Sequence, residues 1–351
     1  MYDIITIGTA TRDVFLTSLF FKVFRDTEHL KKNGFPTGEA QCFTLGGKVE
    51  IDKPIFTTGG GATNAATTFS RQGLKTAALV KIGEDKEGED IVNEMAKEKI
   101  TAFAIKDENK GTAYSTILLS TAGERTILVY RGASGDLTAD EIPFKKIKAK
   151  WAYIAPSNIA FGAMEKIFNY LYENGVLIAF NPSKYYIELG IDKLKPFLEK
   201  SKAVILNREE ASYLTGVDYQ NEREIFKKLD EITPGIVVMT DGPNGVMVSD
   251  GANIYQSGIF KDQKVVDRTG AGDAFGSGFV AGLAHKRENC GKSLPAGRHG
   301  LCRTDNIEYA IRLASANATS VVEQIGAKKG ILTREEFEKN KRWGNFQIKC
   351  K

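Results

Sequence analysis

The second half of the chain alternates short apolar runs with amphipathic segments, and this rhythm restricts the fold more than any other feature. Each apolar run has the length of one β-strand, and the segments between runs have helical periodicity. Strands separated by helices favour a mostly parallel sheet flanked by helices, with functional residues in loops at the carboxyl ends of the strands. The predicted strands are Trp151–Ala155, Leu177–Asn181, Ala203–Asn207, Ile236–Thr240 and Gly245–Ser249, and the predicted helices are Gly162–Asn174, Arg208–Thr215 and Arg223–Ile232.

The first half contains similar elements and one long irregular stretch, Leu16–Phe56, in which Gln41–Leu45 and Lys48–Ile51 have strand-like character. Long excursions of this kind in compact domains are often lids or binding loops. Thr112–Leu119 and Arg125–Tyr130 alternate in polarity and predict a β-hairpin. The remaining predicted elements are the strands Asp3–Ile7 and Thr76–Ile82 and the helices Ala62–Gln72 and Glu87–Glu98.

A glycine-rich turn carries the clearest chemical signal. An apolar run ends at Asp267 and an amphipathic segment begins at about Asp273, which predicts a strand, a tight turn and a helix start. Gly270, Ala271 and Gly272 leave backbone N–H groups uncovered where the helix dipole is positive, so the turn can bind an oxyanion. A carboxylate beside such an anion hole suits phosphoryl transfer, with Asp273 taking the proton of the attacking hydroxyl. Asp273 alone could also be a helix N-cap.

The turn reads Asp-Arg-Thr-Gly-Ala-Gly-Asp-Ala-Phe, and it resembles the second signature of the ribokinase-like (PfkB) family of sugar and nucleoside kinases. Four further stretches resemble family motifs in the same order, and the five together span most of the chain between Asp3 and Gly330. The resemblance implies an α/β fold, a ribokinase-like three-layer sandwich with a mostly parallel central sheet and a small β-lid. It also implies an ATP-dependent phosphotransferase acting on a primary hydroxyl of a sugar or sugar-like acceptor.

Two stretches are similar to family positions that bind the acceptor. Asp13, after the first strand, matches an Asp that binds sugar hydroxyls, and an acceptor-only carboxylate suits two adjacent hydroxyls. The stretch Gly-Gly-Gly-Ala-Thr-Asn resembles the first signature, in which Gly59 and Gly60 let the backbone approach a substrate ring and Asn64 bonds hydroxyls. Ribokinases proper usually carry Lys where this chain has Gly61, which weakens the case for ribose.

Arg131 gives a different indication about the acceptor. Its setting, Val-Tyr-Arg-Gly-Ala-Ser, resembles the Tyr-Arg of ketodeoxygluconate kinases, whose Arg faces a substrate carboxylate. Arg131 could equally be a surface residue. A nucleoside kinase on the same scaffold is another alternative, with Phe15, Phe20 and Tyr114 as walls for a base. A non-catalytic sugar or nucleotide sensor is the alternative from another class, because a fold alone does not prove activity.

The tetrad Asn-Arg-Glu-Glu matches the family's Asn-x-x-Glu. The resemblance implies that Glu210 orders a hydrated Mg²⁺ and that Asn207 supports the phosphates of ATP. Mg²⁺ keeps most of its waters, so control by one carboxylate through water is reasonable. The spacing alone also fits a helix capping box. The other positions that the resemblance places near the nucleotide are Thr240, Gly242, Gly245 and Asn317.

Relatives in the family also bind a monovalent cation, such as K⁺, beside the anion hole. The loop of this chain that resembles that site is Val321–Gly330, which contains Gly326, with Asp267 and Thr269 opposite. Backbone carbonyls dominate such sites, so the side chains indicate little.

Composition restricts the class of protein further. The net charge of +4 is mild and suits anionic ligands, and it does not predict a nucleic-acid partner. The four cysteines are scattered and there are three histidines, so neither a disulfide framework nor a zinc site is expected. No apolar run is long enough to cross a bilayer, and the N-terminus enters a strand without the features of a signal peptide. The expected location is therefore the cytoplasm.

These patterns predict a core domain from residues 1–14, 57–110 and 135–335 and a lid region from residues 15–56 and 111–134. Residues 286–306 are polar and indicate an inserted surface loop, whose Gly-Lys-Ser fails as a P-loop because Arg287 stands where glycine is needed. Residues 336–351 form a basic tail that is expected to fray. In several relatives the lids of two chains pair, so a homodimer through the lid is an expectation.

Overall fold

The structure is a computed structural model that describes residues 1–35, 37–120, 125–261, 264–285 and 303–350, without the side chains of 303–306. In chain order its strands are β1 Tyr2–Gly8, β2 Thr11–Thr17, β3 Val23–Arg25, β4 Glu39–Gln41, β5 Ile55–Gly59, β6 Thr76–Gly83, β7 Thr101–Asp107, β8 Ala113–Leu119, β9 Arg125–Tyr130, β10 Ala149–Ala155, β11 Leu177–Phe180, β12 Ser201–Asn207, β13 Ile236–Thr240, β14 Val246–Ser249, β15 Ile254–Ser257 and β16 Ile348–Cys350. Its α-helices are α1 Thr27–Lys32, α2 Gly61–Arg71, α3 Lys86–Lys97, α4 Phe161–Glu173, α5 Lys184–Glu188, α6 Ile191–Leu198, α7 Arg208–Thr215, α8 Glu222–Asp230, α9 Ala271–Ala284, α10 Arg303–Val322 and α11 Arg334–Lys339.

A ten-stranded sheet forms the middle layer, in the order β16-β15-β14-β13-β12-β11-β10-β1-β6-β7. The strands from β13 to β7 run parallel, and β14, β15 and β16 add an antiparallel edge. Parallel strands bring their carboxyl ends to one edge of a sheet, where ligands bind in open α/β folds. The mostly parallel sheet predicted from the alternation of strands and helices is confirmed.

Helices cover both faces of this sheet because its strands are apolar on both sides. In β10, Trp151 and Tyr153 pack into one core with α2, α9 and α10, whereas Ala152 and Ile154 pack into the other core with helices α4 to α8. Successive side chains of a strand point to opposite faces, so one short run can supply both cores. The result is the expected three-layer α/β sandwich.

A second, four-stranded sheet has the order β5-β2-β8-β9. Strand β2 pairs antiparallel with β5 and parallel with β8, and β8 pairs antiparallel with β9. This is the small β-sheet expected beside the core. A two-stranded ribbon of β3 and β4, together with α1, lies in the excursion between β2 and β5.

Several local expectations about strands were wrong. Of Gln41–Leu45 and Lys48–Ile51, only Gln41 lies in a strand, whereas β2, β5, β7, β15 and β16 were not expected as strands. The small sheet takes in residues 11–14 and 57–59, which the predicted boundaries gave to the core. Residues 264–268 form no strand, and α9 begins at Ala271 rather than at about residue 273. These strands depend on pairing partners far away in the chain, which a local pattern does not contain.

The C-terminal segment is packed rather than frayed. Strand β16 pairs with β15, and Trp343 is 2% exposed against Phe260. The turn 121–124 and residues 286–302 of the expected insertion, with Cys290 and Cys302, lie outside the described residues, and residues 303–306 already belong to α10. Across the ranges that the structure covers, no helix has the length and apolar character needed to cross a membrane.

Candidate active site

The glycine-rich turn leads into α9 and leaves the N-terminus of that helix open. Gly270 is the N-cap with φ of +78°, a left-handed conformation that suits glycine. A Cβ at Gly270 would lie 2.3 Å from the Cβ of Ala327, so a larger residue does not fit. No side chain of the described residues caps the helix, and a Cβ at Gly272 would meet nothing within 4 Å. The Ala271 N–H donates to the backbone oxygen of Arg268 at 3.3 Å, and no side chain in the described part of the chain caps the N–H groups that follow, so the helix terminus can still bind an anion.

Asp273 is the third residue of α9, so the alternative that it is the N-cap is wrong. Its Oδ2 accepts a hydrogen bond of 2.8 Å from Nδ2 of Asn64, in the first turn of α2. Asn64 is 5% exposed, and its Oδ1 is buried without a hydrogen-bond partner among the described residues. A buried amide oxygen that lacks a donor is suited to a hydroxyl brought by a ligand. The pair therefore offers one carboxylate and one free acceptor beside the open helix terminus.

The environment of Asp273 makes its carboxylate a stronger base. Burial raises the pKa of Asp273, the hydrogen bond from Asn64 opposes this change, and the negative charge of Asp13 adds to it. A base whose pKa is raised toward neutrality holds an abstracted proton more strongly.

Asp13 lies on β2 and is 7% exposed. Its Oδ1 accepts a hydrogen bond of 2.9 Å from Oγ1 of Thr11. Burial raises the pKa of Asp13, whereas the hydroxyls of Thr11 and Ser115 and the charge of Lys328 lower it. The fold thus brings Asp13, Asn64 and Asp273 into one polar region, as the resemblance implied.

The two glycines before α2 allow close contacts within the protein. A Cβ at Gly59 would lie 2.0 Å from Oδ2 of Asp13, and one at Gly60, whose φ is +98°, would lie 2.5 Å from the backbone oxygen of Thr9. The missing side chains make room for the protein's own carboxylate and backbone. The approach of a substrate ring to these glycines stays a prediction.

Gly61 connects this region to the edge of the central sheet. A Cβ at Gly61 would lie 2.8 Å from the Cβ of Ala155, the last residue of β10, and 3.6 Å from Oδ1 of Asp273. Asp273 therefore sits at the carboxyl end of β10, the edge at which ligands bind in open parallel sheets.

Arg131 follows β9 and is exposed. Its Nη1 donates a hydrogen bond of 3.1 Å to Oγ of Ser157, just beyond the end of β10. Arg131 therefore lies toward the same edge as Ala155. Its exposed guanidinium agrees with both alternatives, a ligand for an acidic substrate and a surface residue.

Asn207 and Thr240 are register partners at the carboxyl ends of β12 and β13. Two strand spacings, about 10 Å, separate β12 from β10 and the Asp273 region. Asn207 and Glu210 form a capping box: Oδ1 of Asn207 accepts from the Glu210 N–H at 2.8 Å, and Oε2 of Glu210 accepts from the Asn207 N–H at 2.8 Å. Burial raises the pKa of Glu210. Its Oε1 remains available for a metal-bound water, so the pair fits the expected magnesium position.

The turn after β13 is held by a cluster that local motifs do not reveal. Nη1 of Arg208 lies 3.1 Å from Oδ2 of Asp241, and the hydroxyl of Tyr219 donates to Oδ1 of the same carboxylate at 2.5 Å. The Arg208 guanidinium lies 4.4 Å from the centre of the Tyr219 ring. Asp241 precedes Gly242, which is exposed with φ of +48°. The cluster therefore fixes the position of the chain just before this exposed turn.

Two of the residues expected near the nucleotide are packing residues. Asn317 has no exposed surface; its Nδ2 donates to the Ala274 backbone oxygen at 2.9 Å, and its Oδ1 accepts from the Leu332 N–H at 3.0 Å. Gly245 is buried, and a Cβ there would lie 2.1 Å from the backbone oxygen of Ser257. The expectation of nucleotide contact is corrected for both, because their surfaces are already occupied by the protein.

The three residues expected around a monovalent cation do meet. Asp267 is 2% exposed and accepts hydrogen bonds from the N–H and Oγ1 of Thr269 and, at 3.0 Å, from the N–H of Gly326. These donors satisfy the Asp267 carboxylate within the protein. A cation here would therefore depend mainly on backbone carbonyls, and K⁺ remains a prediction.

The fold and this edge of the sheet define a ribokinase-like kinase. A solved ribokinase from Giardia lamblia superposes with a TM-score of 0.74 at 22% identity, covering 95% of this chain and 96% of that chain, which shows the shared fold. The chain belongs to the pfkB family of carbohydrate kinases, whose description, "pfkB family carbohydrate kinase", matches residues 39–334. It is therefore a sugar-kinase enzyme, and the sensor alternative is set aside.

Curated relatives agree with this family and differ in acceptor. An uncharacterized sugar kinase of Archaeoglobus fulgidus is 27% identical over 268 residues, covering 75% of this chain and 97% of that protein. A cytidine kinase of Thermococcus kodakarensis is 29% identical over 263 residues, covering 70% of this chain and 90% of that protein. The chain is thus similar to kinases of both sugars and nucleosides.

Proposed function

We propose that this enzyme transfers the γ-phosphoryl group of ATP to a primary hydroxyl of a sugar or nucleoside. The observation that carries the proposal is the position of Asp273, a half-buried carboxylate of raised pKa at the start of α9, whose N-terminus has no side-chain cap among the described residues. A base for a hydroxyl and a site for phosphoryl oxygens are thereby adjacent.

In the proposed reaction, Asp13 and the free Oδ1 of Asn64 hold the acceptor hydroxyls. The hydroxyl oxygen attacks the γ-phosphorus, its proton passes to Asp273, and the bond to the β-phosphate breaks so that ADP leaves. The amides of residues 270–272 stabilise charge on the transferred group. Burial chiefly raises the pKa of Asp273, and the negative charge of Asp13 adds to this rise.

The donor side lies at the ends of β12 and β13, about two strands away. Asn207, Thr240 and Gly242 would contact the nucleotide there. Mg²⁺ would supply charge neutralisation at the phosphates, and Glu210 would hold its waters through Oε1. Glu210 suits this task because its other oxygen and its backbone already fix the helix start.

A sugar-like acceptor fits the site best, and an acidic sugar is the specific alternative. Asp13 provides a carboxylate for hydroxyls, whereas Arg131 is exposed near the same edge and could pair with a substrate carboxylate. The test is a panel of ribose, fructose, cytidine, adenosine, inosine and 2-keto-3-deoxygluconate with ATP and Mg²⁺, measuring ADP and the phosphorylated product. Absence of acceptor-dependent ADP formation across this panel would contradict the proposed acceptor classes.

We also propose that two copies pair through the small sheet. Every residue of β9 is exposed, including Leu128 at 57% and Val129 at 55%, and β9 is an edge strand with unpaired backbone groups. The expected result is a dimer by light scattering for the wild type and a monomer for Leu128→Lys. A wild-type monomer at micromolar concentration would contradict the pairing.

A further inference from the structure

A buried lysine links the loop behind the anion hole to the strand that carries the acceptor carboxylate. Lys328 is 8% exposed, in the segment that follows α10. Its Nζ donates to Oγ1 of Thr58 on β5 and lies 3.1 Å from Oε1 of Glu94 on α3. Lysine is almost never buried unless its charge is compensated. The burial of Lys328 therefore indicates a structural or functional role for this side chain.

The segment around Lys328 contacts the glycine-rich turn before α9 and also helix α2. Ala327 fills the space where Gly270 has no side chain, and the N–H of Gly326 donates to Oδ2 of Asp267. The backbone oxygen of Lys328 accepts from Nη1 of Arg71 at 3.0 Å, which fixes the segment to α2. A side chain that is fixed by its backbone and by its own hydrogen bonds can position its neighbours.

Thr58 transmits this contact to Asp13. Thr58 is 1% exposed and precedes Gly59. Oδ2 of Asp13 occupies the space that a side chain at Gly59 would need. Burial raises the pKa of Asp13, and the positive charge of Lys328 is among the groups that oppose this rise. Lys328 thus acts on Asp13 by holding the neighbouring strand, β5, with which β2 pairs.

Glu94 is the ion-pair partner of Lys328. Its Oε1 lies 3.1 Å from Nζ, and its side chain is 33% exposed. Glu94 therefore offsets the cost of burying the ammonium of Lys328.

We propose that Lys328 is a positioning residue for acceptor binding: it holds β5 through Thr58 and thereby keeps Asp13, which lies against Gly59 of the same strand, in place. This inference rests on the proposed function, and it adds a residue that does not itself touch the acceptor. The effect should fall on acceptor affinity rather than on nucleotide binding, because the nucleotide residues lie on β12 and β13.

The test compares Lys328→Met with Lys329→Met, its exposed neighbour in the same segment. With an acceptor that the wild type phosphorylates, Lys328→Met should raise the acceptor KM by about fivefold or more and leave kcat and the ATP KM nearly unchanged. Lys329→Met should match the wild type. Equal effects of Lys328→Met on the acceptor and ATP KM, or no effect, would overturn the proposal.

A second variant separates positioning from folding. Lys328→Met combined with Glu94→Gln removes the carboxylate that the single variant leaves unpaired, so thermal stability should recover while the acceptor KM stays high. Recovery of both would show that Lys328 is only structural.

A third measurement is independent of turnover. Hydrogen exchange of the peptide covering residues 55–60 should be faster in Lys328→Met than in Lys329→Met, because β5 loses the hydrogen bond between Lys328 and Thr58. If no acceptor is phosphorylated by the wild type, the proposed function fails, and unchanged exchange in this peptide would separately overturn the role of Lys328.

Discussion

The acceptor side and the nucleotide side of this site are built differently. The acceptor side is buried: Asp13 is 7% exposed, and Asn64, which is 5% exposed, bonds a residue 209 positions away. The nucleotide side is open: Asn207 and Gly242 are exposed, and the Asn207–Glu210 bonds span three positions.

The difference shows where the enzyme is organised before ligands arrive. Burial raises the pKa of both Asp13 and Asp273, so the fold bears a cost to keep two carboxylates together on the acceptor side. The nucleotide side uses strand ends and a capping box, which cost little and leave room for a charged, hydrated ligand. In the proposed reaction, the acceptor side would therefore determine catalysis and specificity, and the nucleotide side would mainly provide binding.

The largest effect should come from removing the proposed base. Asp273→Asn should lower kcat by about 10²–10⁴-fold, the contribution of a general base, and leave the ATP dissociation constant largely unchanged. Steady-state kinetics and calorimetry with a non-hydrolysable ATP analogue measure the two quantities. A variant that keeps more than half of the wild-type kcat would remove Asp273 from the mechanism.

Stability provides the control for this variant. A carboxyl whose pKa is higher in the folded than in the unfolded state loses folding free energy as pH rises from the unfolded value of about 3.8 through the folded value. Asn at position 273 carries no charge whose burial costs free energy, and its side-chain oxygen can still accept the hydrogen bond from Asn64. Asp273→Asn should therefore melt at or above the wild-type temperature at pH 7, and a lower melting temperature would indicate that the activity loss reflects misfolding.

The second effect tests whether the two sides are separable. Asp13→Ala should raise the acceptor KM by more than about tenfold, because hydrogen bonds to a charged group contribute roughly 1.5–3 kcal/mol each. Nucleotide affinity should barely change. Asp13→Asn, which keeps the shape beside Gly59, is the control for packing. Equal losses of nucleotide and acceptor affinity in calorimetry would make Asp13 structural and the division invalid.

The smallest effect should come from the open side. Glu210→Gln keeps the capping box, since glutamine also completes it, and removes only the charge. We expect the magnesium concentration for half-maximal rate to rise about threefold to tenfold, an interaction of roughly 1 kcal/mol, with little change in acceptor KM. Glu209→Gln, on the same helix turn, is the matched control. A magnesium titration identical to that of the wild type would remove Glu210 from the metal site.

The sequence alone determined the layers of the fold and the position of the turn before Asp273, because strand and helix periods and glycine-rich turns are local properties. It also determined the Asn207–Glu210 pair, whose members lie one helical turn apart. It did not predict β2, β5 or β7, since these strands form by pairing with partners distant in the chain.

Only the tertiary structure decided which residues act together. The structure joined Asn64 to Asp273 and placed Oδ2 of Asp13 in the space left by Gly59. It also buried Asn317 between α9 and Leu332. Each of these outcomes depends on how helices and sheets pack. Hydrogen bonds and steric contacts act only between atoms that the fold has brought close together, so a local sequence pattern does not predict them.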